Sequence, residues 1–282
     1  GGVDGGGEVE HLSTVDVYDP RTDAWKQLSN MPAIRCMHGA AVLDGKIYVM
    51  GGLDDVGNIL STADVYDPQS DSWQPLADMA SRRDRFAAAV VSGKIYAIGG
   101  QGDDLRTLAT VEAFDPLLGT WAKVASMNVD RNHHAAAVAD GKIYVIGGMD
   151  DDNWSSDSVE VYNTQANSWQ QVGSMPGVRY KHSAAAMGGK IYVSGGFHEG
   201  SSTSNVMLFD PQANTWTQLA SMSVERVDHT SAAIGGKLYV FGGGSAEEEG
   251  MASVEAYDPI SNTWAHASDM TAARDDFVAV AL

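Results

Sequence analysis

The stretch KIYVMGG at residues 46–52 joins a lysine-led run of β-branched and aromatic residues to a pair of glycines. The same phrase returns as KIYAIGG at 94–100, KIYVIGG at 142–148, KIYVSGG at 190–196 and KLYVFGG at 237–243. Runs of this composition predict short β-strands, and the glycines predict a backbone turn where each strand ends. Because the phrase recurs at an interval of about 48 residues, the sequence indicates a repeat protein.

Four further markers keep the register of the glycine pairs, which begin at Gly1, Gly51, Gly99, Gly147, Gly195 and Gly242. An aromatic residue follows each pair, at Tyr18, Tyr66, Phe114, Tyr162, Phe209 and Tyr257. Seven residues later comes Trp25, Trp73, Trp121, Trp169, Trp216 or Trp264. A methionine comes next, and an arginine follows it by four residues, at Arg35, Arg83, Arg131, Arg179, Arg226 and Arg274. The chain therefore contains six sequence units.

Each unit contains four short strand signals, which in the first complete unit are HGAAVL, KIYVM, TADVYDP and SWQPL. The DGK and SGK segments between the first two signals predict tight hairpin turns. The YDP segment before a tryptophan predicts a second turn, because aspartate and proline both favour the bend. No stretch shows a sustained helical period, so we expect an all-β protein with almost no helix.

These features together resemble the kelch repeat, a unit of four antiparallel strands with a double glycine and a spaced tyrosine and tryptophan. The resemblance covers the whole chain and implies a β-propeller, in which each repeat forms one blade around a central channel. We therefore predict a single domain, residues 1–282, with six four-stranded blades. The predicted blades cover residues 38–76, 86–124, 134–172, 182–219 and 229–267, with a sixth formed by 277–282 and 13–28.

The sixth blade is predicted to be closed by both ends of the chain. Residues 277–282 would form its innermost strand, and residues 13–19 and 24–28 its outer two strands. The chain has no counterpart of the strand at 237–241 before Gly1, so we expect this blade to lack its second strand and the sequence to be a trimmed domain of a longer protein.

The chain carries 18 lysine and arginine residues against 37 aspartate and glutamate residues, a formal net charge of −19. This balance argues against broad contact with nucleic acid, which requires a positive field. No apolar run approaches the length of a membrane span, so we expect no membrane partner. The single cysteine, Cys36, excludes an internal disulfide and fits a reducing compartment. We expect a cytoplasmic, monomeric propeller without a cofactor.

Alternation of strand direction places the post-glycine loops and the Met-to-Arg loops on one face. Length variation falls in the post-glycine loops, which makes this face the expected binding surface. The six repeated arginines would surround the mouth of the channel on this face. Two interpretations of them are open: they are donors for a carboxylate or phosphate of a ligand, or they are satisfied by the neighbouring blade.

The predicted peptide-binding set combines these arginines with loop positions at which the repeats differ. Trp154, the tryptophan outside the repeat register, is expected to be an exposed anchor, with folding back onto its loop as the alternative. Acidic residues such as Glu8, Asp150–Asp152, Glu247 and Glu249 predict an acidic rim around a basic centre. The full set is Arg35, Arg83, Arg85, Gln101, Arg131, Asn132, His133, Trp154, Arg179, Tyr180, Lys181, Phe197, Arg226 and Arg274.

Catalytic and metal-binding signals are weak. The acidic run at 150–153 lacks the glycine and the distal glutamate of a calcium-binding EF-hand loop. Cys36 has no nucleophile signature near it. Four histidines share one repeat position with two phenylalanines, which favours packing; they are His38, His134, His182 and His229, beside Phe86 and Phe277. We predict no catalytic residue and no metal site.

Among kelch proteins, the sequence is most similar to the kelch domains of BTB–Kelch proteins, which capture substrates for cullin-based ubiquitin ligases. The resemblance implies a non-catalytic module that binds a protein or a short peptide segment with an acidic or phosphorylated residue. Several family members place tyrosine after the glycine pair, and this chain has none there, so the identity of the ligand does not transfer. A kelch-type enzyme (an oxidase or a sugar epimerase) and a cytoskeletal or scaffold protein are the alternatives.

Overall fold

The lysine-led strand of each complete repeat lies between two antiparallel neighbours. In the computed structural model, which describes residues 1–4, 10–245, 248 and 250–282, Lys46–Met50 pairs with Gly39–Leu43 on one side. On its other side it pairs with Ala63–Asp67, which in turn pairs with Ser72–Pro75. The repeat therefore forms the four-stranded antiparallel sheet that the sequence predicts.

The described residues form strands β1 to β26, numbered in chain order. Four of them precede the blades: β1 (Gly2–Asp4), β2 (Glu10–Leu12), β3 (Asp16–Asp19) and β4 (Ala24–Gln27). Blade 1 is β5 (Gly39–Leu43), β6 (Lys46–Met50), β7 (Ala63–Asp67) and β8 (Ser72–Pro75). Blade 2 is β9 (Ala87–Val91), β10 (Lys94–Ile98), β11 (Val111–Asp115) and β12 (Thr120–Val124). Blade 3 is β13 (Ala135–Ala139), β14 (Lys142–Ile146), β15 (Val159–Asn163) and β16 (Ser168–Val172).

Blade 4 is β17 (Ser183–Met187), β18 (Lys190–Ser194), β21 (Val206–Asp210) and β22 (Thr215–Gln218), and its post-glycine loop contains the short pair β19 (Phe197–His198) and β20 (Ser201–Ser202). Blade 5 is β23 (Thr230–Ile234), β24 (Lys237–Phe241), β25 (Val254–Asp258) and β26 (Thr263–Ala267). Among the described residues there is no helix, and so none long and apolar enough to cross a membrane.

Two kinds of turn connect the strands of a blade. Asp44 and Gly45 have φ angles of 51° and 71°, as in a type I′ turn, whose twist matches that of the flanking strands. Between the third and fourth strands, Asp67 Oδ1 accepts a hydrogen bond of 2.9 Å from Gln69 N, which holds the chain in the second turn. The structure confirms both turns predicted from the sequence.

The first strands of the blades surround the central axis, and aromatic side chains fill the space between blades. The neighbouring inner strands are, in order, β5, β9, β13, β17 and β23. Farther out, the Phe114 ring is 2% exposed and lies 5.2 Å from the Trp121 ring, centroid to centroid. Trp121 Nε1 donates a hydrogen bond of 2.9 Å to Ala77 O of the preceding repeat. The repeated tryptophans thus join blades, although their rings are only partly buried.

The described residues form five four-stranded blades, and the prediction of six blades is wrong. The sixth sequence unit contributes the two-stranded hairpin of β3 and β4, whereas residues 277–282 belong to no strand. In each blade the second strand provides the hydrogen-bond ladder that joins the first strand to the third. Among the described residues no strand lies between the first and third segments of the sixth unit, so they are not joined. The predicted closure of a sixth blade by both chain ends therefore does not form.

The β3–β4 hairpin lies between blade 5 and blade 1. On the side of blade 5, the Tyr18 ring lies 5.8 Å from the Tyr239 ring, centroid to centroid. On the side of blade 1, Trp73 Nε1 donates a hydrogen bond of 3.0 Å to Ser29 O, just after β4. The hairpin thus joins the two blades by side-chain contacts rather than by a continuous sheet.

The glycine pairs occur where adjacent repeats approach most closely. Gly52 has a φ of +88°, and a Cβ at this position would lie 2.5 Å from the carbonyl oxygen of Cys36. Both the left-handed backbone and the close approach therefore require glycine. This contact places the start of each post-glycine loop against the end of the preceding Met-to-Arg loop.

Candidate functional site

The repeated arginines enter the blades, as Arg83 illustrates. Its side chain is 0% exposed. Nη1 donates hydrogen bonds of 2.8 Å to both Gly99 O and Thr110 O. Nη2 donates hydrogen bonds of 2.9 Å to Thr110 Oγ1 and to Glu112 Oε1. The guanidinium group therefore binds the glycine turn and the third strand of blade 2, away from the channel mouth.

Four other arginines make the same three kinds of contact: to a glycine carbonyl, to a serine or threonine, and to a carboxylate. They are Arg35, Arg131, Arg226 and Arg274, with the carboxylates of Asp64, Glu160, Glu255 and Asp16 respectively. Each of these arginines is at most 5% exposed. The geometry favours the second interpretation of the arginine ring, satisfaction by the blade. It removes these arginines, with Arg83, from the surface that a peptide can reach.

Blade 4 departs from this arrangement at Arg179. Met207 stands at the position that a carboxylate occupies in the other repeats. Arg179 is 4% exposed, and its Nη1 donates a hydrogen bond of 2.5 Å to Gly195 O. Burial lowers the pKa of Arg179 to about 10. In the described part of the chain, Arg179 is therefore buried without the acidic partner of its counterparts.

The residues two positions after the arginines form a closed ring at the channel mouth. Each donates its backbone N–H to the carbonyl of the ring residue before it, at 2.8–3.1 Å. All of them have left-handed φ angles, from 48° to 55°. Such conformations are costly for residues other than glycine, and they concentrate at functional sites. The ring consists of Met37, Arg85, His133, Lys181, Asp228 and Asp276 and lines a pocket of about 130 Å³.

The charges of this ring are largely paired. Lys181 Nζ lies 2.6 Å from Asp228 Oδ2, and Arg85 Nη1 lies 3.0 Å from Asp84 Oδ2. Burial, and then the neighbouring charge of Asp228, raises the pKa of Asp276 well above its usual range. The predicted basic centre is therefore wrong, because acidic residues neutralise Arg85 and Lys181. Of the predicted acidic rim, Glu8, Glu247 and Glu249 lie outside the described residues.

Four histidines line the same pocket below the ring. His38, His134, His182 and His229 are 5–8% exposed. Burial lowers the pKa of each, to about 3 for His134 and His229, because desolvation disfavours the charged imidazolium. Burial and the charge of Lys181 lower the pKa of His133 well below its usual range as well. Within the described ranges, no group of three or more His, Cys, Asp or Glu residues is placed to bind a metal.

The remaining predicted positions are at the loops around the ring. Gln101 accepts a hydrogen bond from the Arg85 guanidinium group, and its Nε2 donates one of 2.6 Å to Leu105 O. Asn132 is 6% exposed and hydrogen-bonded within the protein, so it is not available as a free surface group. The half-buried rings of Tyr180 and Phe197 stack with centroids 5.1 Å apart and an interplanar angle of 19°. Tyr180 and Phe197 therefore form a stacked aromatic pair beside the channel mouth.

Three apolar side chains project from the tips of the post-glycine loops in blades 1, 2 and 3. Val56, Leu105 and Trp154 are 76%, 67% and 74% exposed, and we call them the loop-tip patch. The expected exposure of Trp154 is confirmed. The loops are ordered by their own aspartates: Asp54 Oδ1 accepts a hydrogen bond from Val56 N at 3.0 Å, and Asp150 Oδ1 accepts one from Trp154 N at 2.8 Å. Exposed apolar groups on ordered loops are typical of interaction sites.

Two features of the site were missed from the sequence. Val56 and Leu105 are apolar residues inside acidic loops, DDVGN at 54–58 and GDDLR at 102–106, and that contrast is the signal that identifies them. The carboxylates that bind the arginines stand two positions before the aromatic marker in five of the six units. Their repetition in register with the arginines was the available sign of a structural pair.

The sequence matches two family models of kelch repeats. The family model described as the KLHDC2/KLHL20/DRC7 Kelch-repeats domain matches residues 87–273, and the Kelch motif model matches residues 1–32 and 34–80. The chain belongs to the kelch-repeat family. Its predicted resemblance to the kelch domains of Kelch-like proteins is thereby confirmed.

Individual relatives match over about one repeat. Kelch-like protein 15 of Danio rerio is 50% identical over 46 residues, which cover 16% of this chain and 8% of that protein. An F-box/kelch-repeat protein of Arabidopsis thaliana is 46% identical over 52 residues, which cover 18% of this chain and 20% of that protein. The matches thus span only a small part of these relatives. The solved structure of YjhT superposes with a TM-score of 0.78 at 16% identity, covering 93% of this chain and 98% of that one, which shows a shared fold.

Proposed function

We propose that this chain is a non-catalytic module that binds a protein or peptide through the loop-tip patch. The observation that carries the proposal is the exposure of Val56, Leu105 and Trp154 on adjacent loops of one face. Large apolar side chains exposed on the loops of three successive blades mark this face as a candidate interaction surface. Tryptophan is also the residue most enriched among binding hot spots, because a large ring gains much apolar contact at little entropic cost.

The opposite face offers a matched comparison. Leu118 of blade 2, its neighbour Leu117, and Ile260 of blade 5 are 72%, 94% and 96% exposed, and all lie in the turns between third and fourth strands. These residues belong to two blades that are not neighbours in the inner ring of strands. Exposed apolar residues at the tips of separate turns are common on soluble proteins and need no ligand. They therefore serve as controls for the loop-tip patch.

We also propose that the ligand carries an acidic or phosphorylated residue. The arginines that would bind it differ from those first predicted. Arg82 and Arg106 lie on the loop face near Leu105, and their side chains are 54% and 74% exposed. Their nearest paired carboxylates lie at 3.7 Å (Asp103) and 3.8 Å (Asp104), and such surface pairs contribute little. Both guanidinium groups can therefore exchange these carboxylates for one on a ligand.

We also propose that this chain is the recognition part of a larger protein. The relatives named Kelch-like and F-box/kelch-repeat proteins support a role as the recognition part of a larger protein. The resemblance to BTB–Kelch domains supports capture of substrates for a ubiquitin ligase in the cytoplasm. An exposed recognition face on a rigid propeller fits this role, because the scaffold holds the loops in place before the ligand binds.

The test is a selection of binding peptides from a displayed random library on the purified chain, followed by affinity measurement. Trp154→Ala is expected to weaken the selected peptides at least about tenfold, as for an anchor residue. Leu118→Ser and Ile260→Ser are expected to leave their affinity unchanged. Selection of peptides whose binding depends on Leu118 or Ile260, and not on Trp154, would contradict the proposed face.

The same peptides test the acidic group separately. Arg82→Ala with Arg106→Ala should weaken acidic peptides more than neutral ones, and added salt should reduce that difference. If acidic and neutral peptides respond equally, the loop-tip patch binds apolar segments without a charge requirement, and that part of the proposal is wrong.

A further inference from the structure

Arg179 in blade 4 is a buried cation with a single hydrogen-bond partner among the described residues. It is 4% exposed, and its Nη1 donates a hydrogen bond to Gly195 O. Arg83, its counterpart in blade 2, makes four hydrogen bonds, one of which goes to the carboxylate of Glu112. A buried guanidinium group is costly unless its charge and its N–H groups have partners. Blade 4 therefore contains one buried charge without compensation from the described residues.

A methionine occupies the place of the missing carboxylate. The third strands of blades 2, 3 and 5 carry a glutamate that contacts the repeated arginine: Glu112, Glu160 and Glu255. Met207 of β21 stands at this position in blade 4 and is only half-buried. Methionine is unbranched and adapts its shape to its neighbours. The place where a carboxylate would meet Arg179 is therefore near the surface, beside a side chain that can change its rotamer.

The Met-to-Arg loop of blade 4 retains one of the two backbone donors that bind the glutamate in blade 2. There, Glu112 accepts hydrogen bonds from Ala80 N at 2.7 Å and from Ser81 N at 3.0 Å. The counterparts in blade 4 are Pro176, which has no N–H group, and Gly177. Gly177 N has no acceptor within the part of the chain that the structure describes. A backbone donor is therefore left at the position where the missing carboxylate would lie.

Two nitrogen atoms of Arg179 remain accessible from outside. In four other repeated arginines the Nε atom is fully buried without an acceptor: Arg35, Arg83, Arg131 and Arg226. No atom of Arg179 is in that state, although its Nε and Nη2 have no acceptor in the described ranges, so both atoms keep some contact with solvent. Burial lowers the pKa of Arg179 and of Arg83, and Glu112 opposes this shift only in Arg83. An anion that approaches from solvent can therefore reach the unpaired nitrogen atoms of Arg179.

We propose that Arg179 and Gly177 N bind the carboxylate of a small organic acid or of an acidic side chain, in the position that Glu112 occupies in blade 2. Nε and Nη2 would donate hydrogen bonds to the two carboxylate oxygens, the paired arrangement that arginine favours. Gly177 N would add a third donor. The site lies in blade 4, apart from the loop-tip patch of blades 1 to 3, so the inference does not rest on the proposed function.

The test follows the arginine Nε–H signals of the full chain by heteronuclear NMR. Sodium acetate, or a blocked glycyl-glutamyl-glycine peptide, replaces sodium chloride at constant ionic strength and at about pH 6, where the carboxyl group is ionised. Arg179→Lys removes one signal and so identifies that of Arg179, and Arg82→Lys identifies an exposed control. The Arg179 signal should shift and saturate with a dissociation constant in the millimolar range. Tighter binding of acetate would identify a small acid as the ligand, and tighter binding of the peptide would identify a protein side chain.

The variant Met207→Glu makes the test specific, because it supplies the carboxylate from within blade 4. Its affinity for acetate should be at least about tenfold weaker than that of the parent chain, whereas Met207→Leu should stay within about threefold. Trp154→Ala should bind acetate as the parent does.

Three results would overturn the proposal. The first is that neither probe shifts the Arg179 signal at about 100 mM. The second is that Met207→Glu binds acetate as tightly as the parent chain. The third is that the signal of the exposed Arg82 shifts with the same affinity as that of Arg179, because such a response indicates a general effect of the anion rather than a site.

Discussion

Arg83 and Glu112 form an ion pair that is buried on both sides, with Nη2 2.9 Å from Oε1 and each side chain 0% exposed. Glu112 also accepts hydrogen bonds from the backbone N–H groups of Ala80 and Ser81, at 2.7 and 3.0 Å. The pair thus ties the Met-to-Arg loop to the third strand of blade 2. A buried charge is tolerated only when its partner and its hydrogen bonds are complete.

Removal of Arg83 should therefore be costly. Arg83→Ala leaves the Glu112 carboxylate buried without its cation, and we expect the free energy of unfolding to fall by about 3–5 kcal/mol. The neighbouring Arg82 is a matched control, because its side chain is 54% exposed. Arg82→Ala should change stability by less than about 0.5 kcal/mol. Urea unfolding measures the free energy of unfolding of both variants. Equal values for Arg83→Ala and Arg82→Ala would show that Arg83 has no structural role.

Blade 4 allows the converse experiment, because Met207 replaces the carboxylate that would pair with Arg179. Met207→Glu should raise the free energy of unfolding by about 1–2 kcal/mol through a new charge-assisted hydrogen bond. Pro176 has no N–H where Ala80 N binds Glu112 in blade 2, so Pro176→Ala should increase the gain. Thermal or urea unfolding measures both steps. A loss of stability in the double variant would contradict the assigned pairing.

The blade architecture could be predicted because its determinants are local. The positive φ angles of Asp44 and Gly45 follow from a two-residue turn, and the alternation within Lys46–Met50 follows from strand geometry. The sixth blade was predicted wrongly because marker register does not by itself make a sheet; a ladder requires every strand between its edges. The fate of Arg83 was left open because Glu112 is 29 residues away, and burial depends on how the chain folds between them.

Buried histidines should make the protein sensitive to acid. The pKa of His134 is about 3 in the folded state, against about 6.5 when the side chain is exposed in the unfolded state. Between these values the unfolded state binds the additional proton, so stability is present above about pH 6.5 and is lost as the pH falls. Each such histidine contributes a slope of up to about 1.4 kcal/mol per pH unit.

The substitution His134→Phe tests whether a buried histidine causes the sensitivity to acid. Phenylalanine fits this position, because Phe86 occupies the same repeat position. The variant should lose less stability than the parent chain between pH 6.5 and pH 5, by up to about 2 kcal/mol. Urea unfolding at several pH values supplies the two curves. Parallel curves would mean that folding leaves the pKa of His134 unchanged.

The pKa shift of Asp84 should make stability change with pH in the opposite direction from that of the buried histidines. Burial raises its pKa to about 6, partly opposed by the positive charge of Arg85. The folded state then holds the proton more tightly than the unfolded state, so Asp84 reduces stability as the pH rises from about 4 to about 6. Asp84→Asn should be more stable than the parent at pH 7.5 by about 1–3 kcal/mol, and Asn132 shows that asparagine fits this repeat position.

The control for this prediction is Asp103→Asn, because the Asp103 side chain is 64% exposed in the parent. A stability gain for Asp103→Asn as large as for Asp84→Asn would show that burial of Asp84 is not the cause.

Hydrogen–deuterium exchange on the complex with a selected peptide tests the binding face most directly. We predict slower exchange in the loops 53–59, 101–107 and 149–155, which carry Val56, Leu105 and Trp154. The turns at 116–119 and 259–262 on the opposite face should exchange at the same rate with and without the peptide. Protection confined to those turns, with no change in the three loops, would contradict the assignment of the loop-tip patch as the binding site.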